Sequence, residues 1–384
     1  MVVAAAEILI VGGGPVGCTL ALALQQAGRS VLLIERRPHA AERSSGANAF
    51  RPIALSYASR LILERVDAWA SVPATAIEQV HVSQLGAPGR TLLRAADAGL
   101  PALGYVTDYS ALNDALIERT RAAGIDWLDG AQAEQVEPGA DAVRLRALRD
   151  GEELERVGRC VVHAEGTGED MRLRRYGQMG IVTRIETQPP AGHCAYERFT
   201  PDGPLALLPQ AGGYAVVWSL REARAEPLAT AADAVFLEAL ARTIGRRVGA
   251  LRAVGPRSAY PLALRERASR VGPRQAYVGN AAQTLHPVAG QGLNLGLRDA
   301  WDLAEHWRHA SDPGAAKTLE GFSASRRLDA RATVGMTDAL LRSFGSAHPL
   351  MRAGRCMAMT ALDLLPPARR FFARRMIFGP SAIP

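Results

Sequence analysis

The stretch EILIVGGGPVGCTLALALQQAGRSVLLIERRP, residues 7 to 38, decides the fold. Ile8 to Val11 form an unbroken apolar run, the pattern of a strand covered on both faces, and Val31 to Ile34 repeat it. Between them lies G-x-G-x-x-G as Gly12, Gly14 and Gly17, and a helical pattern runs from Pro15 to Ala27. Gly12 permits a tight turn, Gly14 lets the backbone approach a pyrophosphate, and Gly17 lets the helix pack closely on the strand. The helix then points its free N–H groups and positive dipole end at the phosphates. Glu35 closes the second strand, where a carboxylate accepts hydrogen bonds from a ribose diol, and Arg36 follows it. Strand, glycine turn, helix, strand and acid together predict a dinucleotide-binding unit. Adenosine diphosphate is common to FAD and NAD, so the pattern alone does not choose between them.

Working outward, 384 residues with 48% hydrophobic content are enough for two joined domains. The net charge of +7 is carried almost wholly by arginine, since Lys317 is the only lysine, and the arginines are scattered as on a solvated surface. That spread predicts no nucleic-acid partner. One cluster differs. PPARRFFARRMIF, residues 366 to 378, interleaves arginines with Phe371, Phe372 and Phe378, as either an interfacial amphipathic helix or a C-terminal helix docked on the core would. Cys18, Cys160, Cys194 and Cys356 lack metal-ligand spacing and read as reduced thiols. No apolar run reaches the ~18 residues of a membrane span. The expected location is cytoplasmic, peripheral on the inner face of the cytoplasmic membrane if residues 366–378 touch it.

Further along, FRPIALSYASRLILERV (50–66) offers Arg51 followed by a helical apolar pattern. Arg51 either reaches a bound cofactor's pyrophosphate or ring edge, or lies on the surface. Residues 76–109 alternate as strands do, and strands are expected near 141–148 and 157–163. Residues 192–220 hold two or three strands joined by Pro/Gly turns, an antiparallel sheet covered by helical segments near 231–247. Then comes GNAAQTLHPVAGQGLN (279–294), a long loop without a single charged side chain. Gly290 and Gly292 flank Gln291 just before a helix expected to begin near Leu293, so backbone N–H groups and a helix N-terminus face one point. Such an end stabilises an anion by ~0.3–1 kcal/mol when exposed. A neutral loop stiffened by Pro287 suits a flat ring whose reduced form carries negative charge.

Together the two glycine segments resemble the FAD-dependent aromatic-ring hydroxylase family. VGNAAQTLHPVAGQGLNLGLRDAWDLAE, RSAYPLAL (257–264), ERFTPDGPLALLP (197–209) and IEQVHVSQLG (77–86) are most similar to the ubiquinone-biosynthesis hydroxylases that act on a 2-polyprenyl-6-methoxyphenol. The resemblance implies an α/β fold: a Rossmann-like FAD-binding domain (1–75, 105–180, 260–340), an inserted antiparallel-sheet substrate domain (76–104, 181–259) and a C-terminal helical segment (341–384). It implies FAD as cofactor, with Asn280 near the ribityl chain, Pro287 beside the ring, Gly290, Gln291 and Gly292 around its pyrimidine edge, and Gly279, Leu293 and Asn294 as further cofactor-binding residues. It further implies NADPH or NADH as reductant, oxygen and a polyprenyl phenol as substrates, and a flavin C4a-hydroperoxide as oxygen donor. A quinone-biosynthesis protein complex is an implied partner.

One stretch departs from the family. HAEGTGEDMRLRRYGQ, residues 163–178, carries Glu165-Gly166 where most members have Asp-Gly. His286 is read as fixing the loop or as an acid or base, and no catalytic side chain or metal ligand is assigned. Two other readings stay open: a non-hydroxylating flavoprotein reductase, and an FAD-bearing scaffold of a quinone-biosynthesis complex.

Overall fold

The computed structural model describes residues 3–4, 6–38, 50–168, 170–346 and 348–379. The ends of the first and last expected segments, and Glu169 of the 163–178 stretch, lie outside the described residues. The apolar run Ile8–Val11 is buried throughout, at the middle of a six-stranded sheet. Across that sheet the strands run Val271–Gly272, Gln275–Tyr277, Cys160–His163, Ile8–Val11, Val31–Glu35 and Asp126–Asp129. All pairs are parallel except the outermost hairpin. Alternation explains the continuous run: Ile8 and Ile10 face a core built on the helices Pro15–Gln26 and Gln291–Trp307, while Leu9 and Val11 face Val143 and Leu145 of a second sheet. Ile8–Val11 pairs on both sides with strands that follow it in sequence, a switch point, and a crevice forms beyond the carboxyl ends of such strands.

Two expectations about local structure are corrected. The strand read over 157–163 is two: Glu152–Gly158 belongs to an antiparallel layer, and Cys160–His163 to the parallel sheet. The chain switches sheets at Arg159, whose N–H donates to Glu7 O at 2.7 Å, and Gly158 gives room to Leu9. The stretch after Arg51 begins as a strand, Pro52–Ser56, paired with Gly104–Asp108. The helix Tyr57–Arg65 starts only where Ser56 Oγ accepts from Ser59 N–H, an N-cap.

The residues 192–220 form three strands, Cys194–Thr200, Gly203–Gln210 and Gly213–Arg221. They join Arg172–Gln188 and Ser258–Glu266 in a nine-stranded sheet, antiparallel except where Cys194–Thr200 runs parallel to Gln79–Gln84. Trp218, Phe236 and Leu240 fill the space between this sheet and the helices that cover it. The chain ends in helices Ala316–Gly345, Pro349–Leu364 and Pro366–Phe378. The last of these docks: Ala373, Ile377 and Phe378 are buried against Leu93 and Leu103, and Arg369 pairs with Asp97 at 2.7 Å. Only Phe371 of its aromatics is largely exposed, and the larger apolar surface, Leu350, Met351, Met357 and Leu364, lies on the helix before it. Among the described residues no helix is long and apolar enough to cross a membrane.

Candidate active site

At the carboxyl ends of the parallel strands the glycines are placed by steric necessity. Gly12 has φ +108°, and a Cβ there would lie 2.5 Å from the backbone of Ala164 and Glu165. At Gly17 a Cβ would lie 1.9 Å from Gly12 O. Gly14 is different, because a Cβ would meet only Tyr109 Oη at 3.4 Å, and the space beyond is open. Gly14 is also the N-cap of helix Pro15–Gln26, which has no side-chain cap and no acid in its first turn. Its first N–H groups therefore face the opening without a protein anion. Glu35 is held at the end of its strand by Gly13 N–H at 2.6 Å and Arg37 N–H at 2.9 Å.

The distant loop meets this turn through Val16. A Cβ at Gly279 would stand 3.2 Å from Val16, and one at Gly296 would stand 2.9 Å from it, so two glycines let the helix Gln291–Trp307 lie close against Pro15–Gln26. That helix begins at Gln291, two residues before the expected start. Its N-cap, Gly290, adopts φ +59° and again offers no side-chain cap. Nothing stands within 4 Å of a Cβ at Gly292. Farther along, Asp299 pairs with Arg270 at 2.9 Å and Arg326 at 2.8 Å, and Arg298 pairs with Asp329 at 2.9 Å, anchoring the helix body.

Both turns open into one cavity of about 1400 Å³. Of the cofactor-binding residues expected from the sequence all but Gly17 line it, as does Glu165, whereas His286 does not. Arg51 lies 4.4 Å over the Tyr109 ring, at the wall rather than away from it. Glu165 follows the strand Cys160–His163 beside Gly12, and its Oε1 sits 3.0 Å from His163 Nδ1. His286 is buried behind the loop: Nδ1 accepts from Val288 N–H at 3.1 Å and Nε2 lies 3.2 Å from Gln178 Oε1. Burial lowers its pKa to about 4, so the imidazole is neutral and braces the loop. Among the described residues no group of His, Cys, Asp and Glu could hold a metal ion.

Several wall residues were not foreseen, among them three aromatic ones. The Trp127 ring would be 2.6 Å from a Cβ at Gly13, and its Nε1 is shielded without a hydrogen-bond partner. Tyr109 and Phe50 also line the cavity. The signal for Trp127 was present only as the extra glycine of GGG, whose steric partner lies far off in sequence.

Residues 5–337 match a family profile described as an FAD binding domain. Over 96% of this chain and 89% of its own length, ubiquinone hydroxylase UbiL of Rhodospirillum rubrum is 34% identical. The chain belongs to the FAD-dependent aromatic-ring hydroxylase family. A second relative in this family, the 3-demethoxyubiquinol 3-hydroxylase of Escherichia coli, is 29% identical over 93% of this chain and 94% of its own. The p-nitrophenol 4-monooxygenase PnpA of Pseudomonas putida superposes with a TM-score of 0.78, covering 98% of this chain and 99% of the other; at 16% identity this shows the shared fold. Family membership makes FAD the cofactor and NAD(P)H the reductant class. The cavity fits FAD: the two uncapped helix ends and the open faces of Gly14 and Gly292 leave backbone N–H groups with room for a diphosphate and a flat ring edge.

Proposed function

We propose that this hydroxylase acts in ubiquinone biosynthesis, placing a hydroxyl on the ring of a polyprenylated methoxyphenol at the expense of NADPH or NADH and oxygen. The supporting observation is the cavity's two characters. One end is lined by glycine and backbone donors, and the other runs beneath the nine-stranded sheet to Met359, Leu362, Phe372 and Ile377 of the C-terminal helices. Each prenyl CH₂ or methyl buried there contributes about 0.8 kcal/mol. The two relatives above are named a ubiquinone hydroxylase and a 3-demethoxyubiquinol 3-hydroxylase, which favours a related substrate class.

In this reading Gly12, Gly14 and Pro15 hold the diphosphate with Gly17 permitting the turn, while Glu35 takes the ribose and Arg36 and Arg51 border it. Gly279 and Asn280 flank the ribityl chain. Pro287, Gly290, Gln291, Gly292 and Leu293 frame the ring, and Asn294 holds that frame in place. Bound FAD supplies electron transfer from NAD(P)H and activation of oxygen. The chain's own contribution is to hold the ring at a helix N-terminus, where donors favour a reduced, anionic edge, and to exclude water with an apolar ceiling. The exposed apolar side chains of Pro349–Leu364, with Phe371, border the wall that the same helices give the cavity, and we place the protein at an anionic membrane surface on that side.

The test supplies FAD-loaded protein with NAD(P)H, oxygen and a short-chain polyprenyl methoxyphenol. One hydroxylated product per oxygen consumed is expected. Oxidation of NAD(P)H that yields only hydrogen peroxide, whatever phenol is offered, would favour a reductase; no phenol-stimulated oxidation even with partner proteins would favour a scaffold.

A further inference from the structure

Strand register places one carboxyl on an otherwise uncharged ceiling. Across the nine-stranded sheet Val82 is registered with Glu197, Glu197 with Ala206, Ala206 with Val217, Val217 with Val182, and Val182 with Ser258. All six line the cavity, as do Ala195 and Phe199, which precede and follow Glu197 on the same face of its strand. Glu197 Oε1 is shielded from solvent and has no hydrogen-bond partner. Buried carboxyl oxygens are otherwise hydrogen-bonded, so a carboxyl that lines a ligand cavity and has an oxygen without a protein partner marks where a ligand donor belongs.

We propose that Glu197 receives the ring hydroxyl of the substrate and takes its proton as the new carbon–oxygen bond forms. The assignment rests on the functional reading above. The ring carbon bonds to one oxygen of the O2 that bound FAD would activate, using electrons pushed in from the phenol oxygen, and the oxygen–oxygen bond breaks with its pair left on the other oxygen. The phenol O–H bond breaks with its pair left on the phenol oxygen, and that proton passes to the Glu197 carboxylate. When the ring regains aromaticity, its C–H proton passes through water to the other oxygen of O2, which leaves as water, and Glu197 returns its own proton to the phenol oxygen. NAD(P)H supplies the two electrons, and no net charge or proton is left behind.

The electrostatics suit the task. Burial alone raises the Glu197 carboxyl to about 7, where it gives and takes a proton near neutral pH. The flanking strands present Val82 and Ala206 at its register, with no charge. Arg198, next in sequence, is bonded to Ser83 Oγ at 3.2 Å. From the C-terminal helices Arg355 also lines the cavity, but it is engaged by Gln84 Oε1 at 3.1 Å and by the carbonyls of Ser343 and Ser346. Glu35 and Glu165 belong to the Gly12–Gly14 end.

Wild-type, Glu197→Gln and Glu197→Asp holoenzymes are compared with a short-chain polyprenyl methoxyphenol, NADPH and oxygen. The Gln variant is expected to keep its FAD, its rate of flavin reduction and its affinity for the phenol, yet to hydroxylate on the order of 100-fold more slowly and release hydrogen peroxide. The acid limb of the wild-type kcat/KM profile near neutrality should vanish in it. The Asp variant should recover part of the rate, and a fluorinated, more acidic phenol should narrow the gap between Gln variant and wild type. Coupled hydroxylation by the Gln variant at the wild-type rate with an unchanged acid limb would overturn the assignment, as would a loss of FAD that the Asp variant does not repair. Wild-type protein that forms no hydroxylated product from any such phenol defeats the functional reading itself, a separate outcome.

Discussion

Asn294 and Ser56, 238 positions apart, are joined by a 2.7 Å hydrogen bond from Ser56 N–H to Asn294 Oδ1. The same oxygen accepts from Ser59 Oγ at 2.7 Å, and Nδ2 donates to Ala54 O at 2.9 Å and Gly290 O at 2.7 Å. One amide thus ties the start of the ring-loop helix to the strand and helix that follow Arg51. Its side chain holds protein rather than reaching for a ligand.

Asn294→Ala leaves Ser56 N–H and Ala54 O without that partner, at a site where Asn294 is 2% exposed. The expected loss is about 3 kcal/mol in urea denaturation, with weakened FAD binding in step. A loss below about 1 kcal/mol would show that water replaces the amide and that the brace is dispensable.

Gly14 and Gly17 should fail in different ways. Gly14→Val has room in the protein and an ordinary backbone conformation at φ −75°, so the apoprotein should fold with a wild-type circular dichroism spectrum yet purify colourless. Gly17→Ala drives a methyl into Gly12 O and should give insoluble or unfolded protein. Full flavin occupancy in Gly14→Val would remove the diphosphate from that turn.

These glycines also show what the sequence could convey. The turn at 12–17 and the uncharged loop at 279–294 were legible because each local pattern has a single steric or electrostatic use. Their meeting through Val16 was not, since nothing local says which side chain fills the space above Gly279 and Gly296. The split at Arg159 was hidden because the end of Glu152–Gly158 and the apolar Cys160–His163 are separated by one residue, so Val157 to His163 read as a single strand. Glu197 read as part of a family motif, and only strand register showed it on an uncharged ceiling.

Gly292→Asp adds an anion where nothing stands within 4 Å of the new Cβ, at the N-terminal turn of Gln291–Trp307. A carboxylate there repels the negative edge of a reduced flavin. The midpoint potential should fall by roughly 20–60 mV, about 1–3 kcal/mol for a two-electron couple. An unchanged potential in FAD-loaded variant would place the ring edge elsewhere.

His286 predicts a pH dependence of stability. Its folded pKa of about 4 lies below the ordinary 6.5, so the native state resists the proton that the unfolded chain accepts. The stabilisation is therefore complete above the unfolded value and is lost as pH falls toward the folded one, where the loss levels off. Between pH 7.5 and 5, wild type should lose about 2 kcal/mol more than His286→Gln does in urea denaturation. Parallel pH profiles for the two proteins would mean that His286 takes its proton in the native state.

The C-terminal surface carries the last prediction. Leu350, Leu364 and Phe371 are 76%, 71% and 67% exposed, an apolar display that water alone does not favour in such number on neighbouring helices. Arg352, Arg370 and Arg375 are exposed among them, suited to anionic headgroups. Because the three apolar side chains make little of the core, changing all three to Glu should alter stability by no more than about 1 kcal/mol. Binding to phosphatidylglycerol vesicles should drop at least tenfold, by both lost apolar insertion and added repulsion, while hydroxylation of a short-chain, water-soluble phenol stays at the wild-type rate. High salt should weaken wild-type binding in the same assay, because the arginine contribution is screened. Equal sedimentation of wild type and the triple variant with these vesicles would show that this face meets something other than a membrane.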